Sequence, residues 1–178
     1  MNENEYIGKL GIRQATLEDI PNLVEIGRRL HELFPHSAYS YDPNRSDNYN
    51  AKLISTQLRG IILNHRGNYR FFIADDESGK PAGALICYAD QMLFTQDLVA
   101  SLMFYVVLPG HAGDGTALRL FRAFLHWAEG TGAKAINVAT TSGEKIEELD
   151  RYLRRFGFRR TGGTYCLIPT SVTPRQDP

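Results

Sequence analysis

Residues 100–130 constrain the fold more than any other stretch. They read ASLMFYVVL, then PGHAGDGT, then ALRLFRAFLHWAEG. The first run is almost wholly apolar, which predicts a strand from Ala100 to Leu108 buried on both faces. The second is a glycine-rich turn. In the third, Ala117, Leu120, Phe121, Phe124, Trp127 and Ala128 recur at helical spacing, and Gly130 and Gly132 end the helix. A buried strand that turns on glycines into a helix presents free backbone N–H groups and the positive end of a helix dipole at one point. Such a point suits phosphate or pyrophosphate. Gly113 and Gly115 let a ligand approach the backbone with no Cβ in the way. The turn is not a P-loop, because no G-K-[ST] follows it. It is not a dinucleotide fingerprint either, because the chain lacks repeated βαβ units.

The surrounding elements fall into an α+β order. KLGIRQA (9–15) alternates and reads as a strand. Ile20, Leu23, Val24, Gly27, Leu30 and Phe34 mark a helix, with Asp19 as N-cap, Pro21 in its first turn and Pro35 closing it. Residues 36–49 form a polar, aromatic-bearing loop, and a second helix spans 50–64. Strands at 66–75 and 81–90 flank a hairpin turn at 76–80 that carries Asp, Ser and Gly. AKAINVAT (133–140) is a further strand. EKIEELDRYLRRF (144–156) is a third long helix stopped by Gly157, and FRRT and GTYCLIP are closing strands. The prediction is a mixed central sheet flanked by helices, with antiparallel hairpins early and a strand–helix–strand unit late. A chain of 178 residues suits one domain over 1–169, followed by a disordered tail at 170–178.

Composition narrows the function classes. Twenty Lys+Arg balance twenty Asp+Glu, which counts against a nucleic-acid binder working through excess positive charge. No apolar run approaches a membrane span, and the polar start MNENEYIGK lacks a signal-peptide core. Cys87 and Cys166 lie in apolar stretches and read as buried, reduced thiols. With two Cys and five scattered His, no metal-ligand spacing is present. These features point to a cytoplasmic protein.

The chain resembles the GNAT superfamily of acyl-CoA-dependent N-acyltransferases, whose main motif is V-x-P, then [QR]-x-x-G-x-[GA], then an amphipathic helix. Val107 and Pro109 match V-x-P. Gly115 and Ala117 match G-x-[GA], Leu120 matches the helix leucine and Gly113 the frequent extra glycine. The first motif position is Ala112, which removes a side-chain contact but leaves the backbone cradle. Gly132 before a strand, Phe156-Gly157-Phe158 and the opening IRQATLEDIPNLVEI extend the match over about residues 10–167. TTSG (140–143) and TGGTYC (161–166) look most like phage and prophage members.

The resemblance implies that acyl-CoA lies in a splay between the strands at 100–108 and 133–140. Pantetheine would run along Val106, Val107 and Leu108. The pyrophosphate would sit on amides of Ala112, Gly113, Asp114, Gly115, Thr116 and Ala117. The 3′-phosphate would meet one or two of Arg151, Arg154, Arg155, Arg159 and Arg160, or Arg119 and Arg122 on the preceding helix, with Arg122 the first choice. It further implies direct transfer of an acetyl group from acetyl-CoA to an amine acceptor, a small molecule or a protein lysine, with no metal. Family members are often dimers. Many use a tyrosine four residues before the G of the G-F pair as the acid for the leaving thiolate. That position is Leu153 here, so Tyr152 is the candidate acid, and Tyr165 is another; both also read as ordinary structural tyrosines. The base is open among Asp90, Asp97, His111, His31 and His36. Tyr39 and Tyr41 either wall the acceptor cleft or pack their own loop. The alternative to an enzyme is a catalytically weak module that binds acyl-CoA or a protein, motivated by Ala112 and Leu153.

Overall fold

The structure, a computed structural model, describes residues 2–33, 51–63, 67–91, 95–139 and 146–162, and omits the side chains of 29–33. The described residues group into two compact units. One holds 2–25, 51–63, 67–91 and 95–139; the other holds 26–33 and 146–162.

The element order is α1 (Glu3–Lys9), β1 (Ile12–Gln14), a 3-10 turn (Leu17–Asp19), α2 (Ile20–Leu33), α3 (Ala51–Leu63), β2 (Tyr69–Asp75), β3 (Pro81–Gln91), β4 (Leu98–Val107), α4 (Thr116–Gly130), β5 (Ala135–Val138) and α5 (Ile146–Arg154). The five strands lie in sequence order in one sheet. β1 to β4 pair antiparallel, and β4 pairs with β5 in parallel. This is the mixed sheet with flanking helices that the sequence predicts. The core is the central sheet under α4. Phe72, Ile73 and Leu85 are fully buried there, as are Leu120, Phe121 and Phe124 of α4. Consecutive buried residues along β2, from Phe71 to Ala74, mean that both faces of the sheet are covered at its centre.

Several elements depart from expectation. The N-terminus is not a strand from Lys9 but a helix. Asn2 accepts a hydrogen bond from Glu5 N (2.8 Å), Ile7 is buried and Tyr6 stacks on His126 of α4 at 3.9 Å. Gly11, at φ 64°, then turns the chain into β1. Asp19 does not cap α2. Its carboxylate reaches back to Thr16 N (2.7 Å) and to the Arg13 guanidinium, closing a capping box around the 3-10 turn. Pro21 does lie in the first turn of α2. β4 is not buried on both faces, since Met103 is 57% exposed and Phe104 38%. Residues 158–162 form no strand, so FRRT is not a closing strand. Tyr39, Tyr41, His36, Tyr165 and Cys166, with the stretch 163–169, lie outside the described residues. Cys87 is buried, and burial pushes its thiol pKa up. No helix among the described residues is long and apolar enough to cross a membrane.

Arg13 ties β1 to both the 3-10 turn and the end of β2. Its Nη1 and Nη2 donate to Asp19 (both 2.8 Å), and Nη2 and Nε donate to Asp75 (Nη2, 3.1 Å). The Arg13 bonds hold the carboxyl of Asp19 below its usual range. A depressed folded-state pKa contributes stability above the unfolded value of about 3.9, and this is lost as pH falls through the folded one. Asp19→Asn keeps the shape and removes the charge, so it should cost about 1–2 kcal/mol at pH 7. The gap to wild type should narrow in urea melts below about pH 4. A gap that stayed constant with pH would exclude this ion pair as its source.

Candidate functional site

β4 and β5 stay paired only from Val99↔Ala135 to Leu102↔Val138. Beyond Leu102, β4 runs on to Val107 with β3 on one edge and no described strand on the other. The register with β3 steps from Ile86↔Phe104 to Cys87↔Leu102, so Met103 is the extra residue of a bulge. A bulge bends its strand and breaks the ladder locally. It falls at the point where β4 leaves β5, and it explains why Met103 and Phe104 are exposed on a strand of apolar sequence. Past Leu102, Val106 and Val107 therefore have no strand partner on the β5 side among the described residues. Leu108 N still donates to Ala82 O on the β3 side (2.9 Å).

The chain then enters the glycine-rich turn. His111 N donates to Leu108 O (3.1 Å), and Gly110, Gly113 and Gly115 have φ of 97°, 90° and 89°. Those angles strain any residue with a Cβ. Gly115 is the N-cap of α4, and Thr116, its first residue, is fully buried. The N–H groups of Gly113, Gly115, Ala117 and Leu118 have no acceptor among the described residues. A Cβ at Gly113 or Gly115 would meet nothing within 4 Å, so the space over the turn is open. Unpaired helix-start amides facing open space form an anion cradle.

Two contacts that hold this cradle were not legible in the sequence. The Tyr105 hydroxyl of β4 donates to Ala117 O (2.7 Å), pinning the first turn of α4 to β4. Asp114 Oδ1 accepts from Thr116 N (2.8 Å), while Oδ2 lies 3.1 Å from His111 Nδ1. The Thr116 hydroxyl and N–H, followed by His111, hold the Asp114 carboxyl below its usual range. A cavity of about 710 Å³ adjoins the turn, and its lining includes His111 and Asp114 together with Asp75–Ser78 of the β2–β3 hairpin.

The structure brings Val106, Val107, Leu108, Ala112, Gly113, Asp114, Gly115, Thr116 and Ala117 together on one strand end and turn. Arg122 is exposed on α4, whereas Arg119 is engaged with Thr116 Oγ1 (3.0 Å) and Leu10 O (3.3 Å). Tyr152 lies on α5 in the second unit. Its hydroxyl oxygen is buried and its ring meets Phe156 edge-on at 5.2 Å. On the same helix Asp150–Arg154 closes at 2.6 Å, whereas Glu147–Arg151 does not pair. Asp90 is exposed near the end of β3, and Asp97 is exposed just before β4. Among the described residues no cluster of three metal-ligating side chains occurs.

A model of the Acetyltransferase (GNAT) family matches residues 28–158. No curated protein matches the chain in sequence. Solved structures do share its fold. A variant of the BH1408 protein from Bacillus halodurans superposes with TM-score 0.70 at 15% identity, over 89% of this chain and 98% of that one. Glucosamine-6-phosphate N-acetyltransferase from Arabidopsis thaliana gives 0.63 at 10% identity, over 88% and 96%. An aminoglycoside acetyltransferase from an uncultured soil metagenomic sample, solved with sisomicin, gives 0.60 at 16% identity, over 89% and 95%.

Proposed function

The chain belongs to the acetyltransferase (GNAT) family, and from that premise we propose that it transfers an acetyl group directly from acetyl-CoA to a primary amine. The acceptor is a small molecule or a protein lysine. The reading takes residues 1–169 as one cytoplasmic acetyltransferase domain. The observation that supports it is the end of the β4–β5 pairing at Leu102, followed by a turn whose amides at the start of α4 have no acceptor among the described residues.

Each part has a chemical task. The pyrophosphate accepts from the N–H groups around Gly113, Gly115 and Ala117, and the glycines leave it room. Pantetheine lies along Val106, Val107 and Leu108, past the end of the β5 pairing, as a strand partner would. Arg122, exposed on α4, meets the 3′-phosphate. An alkylamine has a pKa near ~10.4, so it must shed a proton before attack. The C–N bond then forms, and the carbonyl oxygen carries negative charge that backbone N–H groups at the β4 bulge stabilise. The C–S bond breaks with its electron pair leaving on sulfur, which takes up a proton, and the nitrogen gives up its second proton to solvent to leave the neutral amide.

Tyr152 is the proposed donor of that proton. Its replacement by Phe should lower kcat about tenfold and leave acetyl-CoA affinity intact, because a thiol leaves readily even without full general-acid assistance. An unchanged kcat would clear Tyr152 of the role.

The reading is tested by incubating the protein with acetyl-CoA and a panel of amines while following free thiol and acceptor mass. Acceptor-dependent thiol release supports it, and absence of acetyl-CoA binding overturns it. Binding without release would favour the module reading, whose basis is Ala112 and Leu153 at positions where the family has Gln or Arg and Tyr.

A further inference from the structure

The cradle at the start of α4 is not empty of charge, because one of its positions is taken by the chain's own carboxylate. Asp114 stands between two glycines in the left-handed region, so the turn directs its Oδ1 onto Thr116 N at 2.8 Å. This is the place a ligand anion would occupy at a helix start. Other nearby carboxylates make the surroundings more negative. Asp76 and Glu77 line the adjoining cavity, as does Asp75, whose charge Arg13 meets. The cations nearby are mostly committed: Arg13 to Asp19 and Asp75, Arg119 to Thr116 and Leu10. His111 is the basic side chain in contact with Asp114.

We propose that Asp114 is a specificity-determining residue that ranks acyl donors by phosphate charge, its carboxylate on Thr116 N opposing the pyrophosphate bound on the neighbouring amides. The proposal rests on the cradle reading of the previous subsection. In the free protein Asp114, the residue before the N-cap Gly115, satisfies the first N–H of α4, that of Thr116. A donor must seat its phosphates beside a fixed like charge, or the carboxylate must leave Thr116 N. Donor affinity is therefore lower than the bare cradle would give, and the deficit grows with each phosphate on the donor. Salt shortens the reach of this repulsion, since the screening length is about 10 Å at 0.1 M and about 30 Å at 0.01 M.

Asp114→Asn separates the charge from the hydrogen bond, because an Asn side-chain oxygen can accept from Thr116 N as the Asp does. Calorimetric titration of the full chain and this variant should use three donors: acetyl-CoA, acetyl-dephospho-CoA and acetylpantetheine. At low salt Asp114→Asn should bind acetyl-CoA about fivefold more tightly than wild type, from one unit charge removed at contact range in water. The gain should shrink for acetyl-dephospho-CoA, vanish for acetylpantetheine and diminish as salt is raised. Equal affinities of the two proteins for acetyl-CoA would overturn the proposal with the cradle intact. So would an equal gain for acetylpantetheine, which would mark a change of structure rather than of charge. If neither protein bound acetyl-CoA, the cradle reading itself would fail and this inference with it.

Discussion

Gly115→Glu should weaken acetyl-CoA binding by more than about 100-fold, equivalent to about 2.7 kcal/mol, while the protein stays folded. Two effects combine at this residue. Gly115 holds φ 89°, so any side chain there costs about 1–2 kcal/mol of backbone strain. Its Cβ would project into open space with nothing within 4 Å, so no packing clash is added. The Glu carboxylate, however, would enter the space over the unpaired amides of Gly113 and Ala117, where the donor's pyrophosphate is to sit. Gly115→Ala isolates the strain, and it should cost stability with only a small loss of affinity. Circular dichroism and thermal melts of both variants, beside calorimetric titration with acetyl-CoA, separate the two effects. A well-folded Gly115→Glu protein with wild-type affinity would show that the donor's phosphates bind elsewhere.

How much of this site could be read from sequence follows from what determines each part. The cradle was legible because its determinants are local: Val107 and Pro109 end a strand, Gly113 and Gly115 require positive φ, and Leu120, Phe121 and Phe124 repeat at helical spacing. The contacts that position it were not, because they join residues whose approach depends on the whole sheet. Tyr105 and Ala117 are twelve residues apart, and nothing in the pattern says that a strand tyrosine caps a helix carbonyl. The bulge at Met103 is hidden for the same reason. Its sequence is almost wholly apolar, a pattern that reads as a strand buried on both faces. The exposure of Met103 and Phe104 instead reflects a strand that loses its parallel neighbour after Leu102. At the N-terminus a polar segment with few apolar residues carries no helical stripe. α1 forms because Asn2 caps it and because Ile7 and Tyr6 find tertiary partners. Asp19 shows the limit of capping rules. Asp is a good N-cap residue, but Arg13 and Thr16 draw its carboxylate backwards.

Gly83 is the position where fold and site depend on the same atom being absent. It lies in β3, between Ala74 of β2 and Val107 of β4. A Cβ there would stand 2.9 Å from Val106 O, and 3.0 Å from both Leu120 Cδ1 and Thr116 Cγ2. The first of these is backbone in a paired strand and cannot swing aside. Thr116 and Leu120 are fully buried and belong to the start of α4. Gly83 therefore sets how closely the first turns of α4 approach the end of β4. Gly83→Ala should cost about 1–3 kcal/mol, as overpacking a filled core does. For a chain of this size that lowers Tm by about 3–10 °C. Relief of the clash would push α4 away from β4, stretching the Tyr105–Ala117 bond that pins the cradle. Acetyl-CoA affinity should therefore fall together with stability, even well below the melting temperature. Gly130→Ala provides the contrast. Gly130 is the last residue of α4, lacks a positive φ, and a Cβ added to it would meet nothing within 4 Å. That substitution should be neutral or stabilise by about 0.5–1 kcal/mol. A Gly83→Ala protein with unchanged Tm would mean that β3 and α4 can part at no cost. In that case the close approach of helix to strand does not hold the cradle in place.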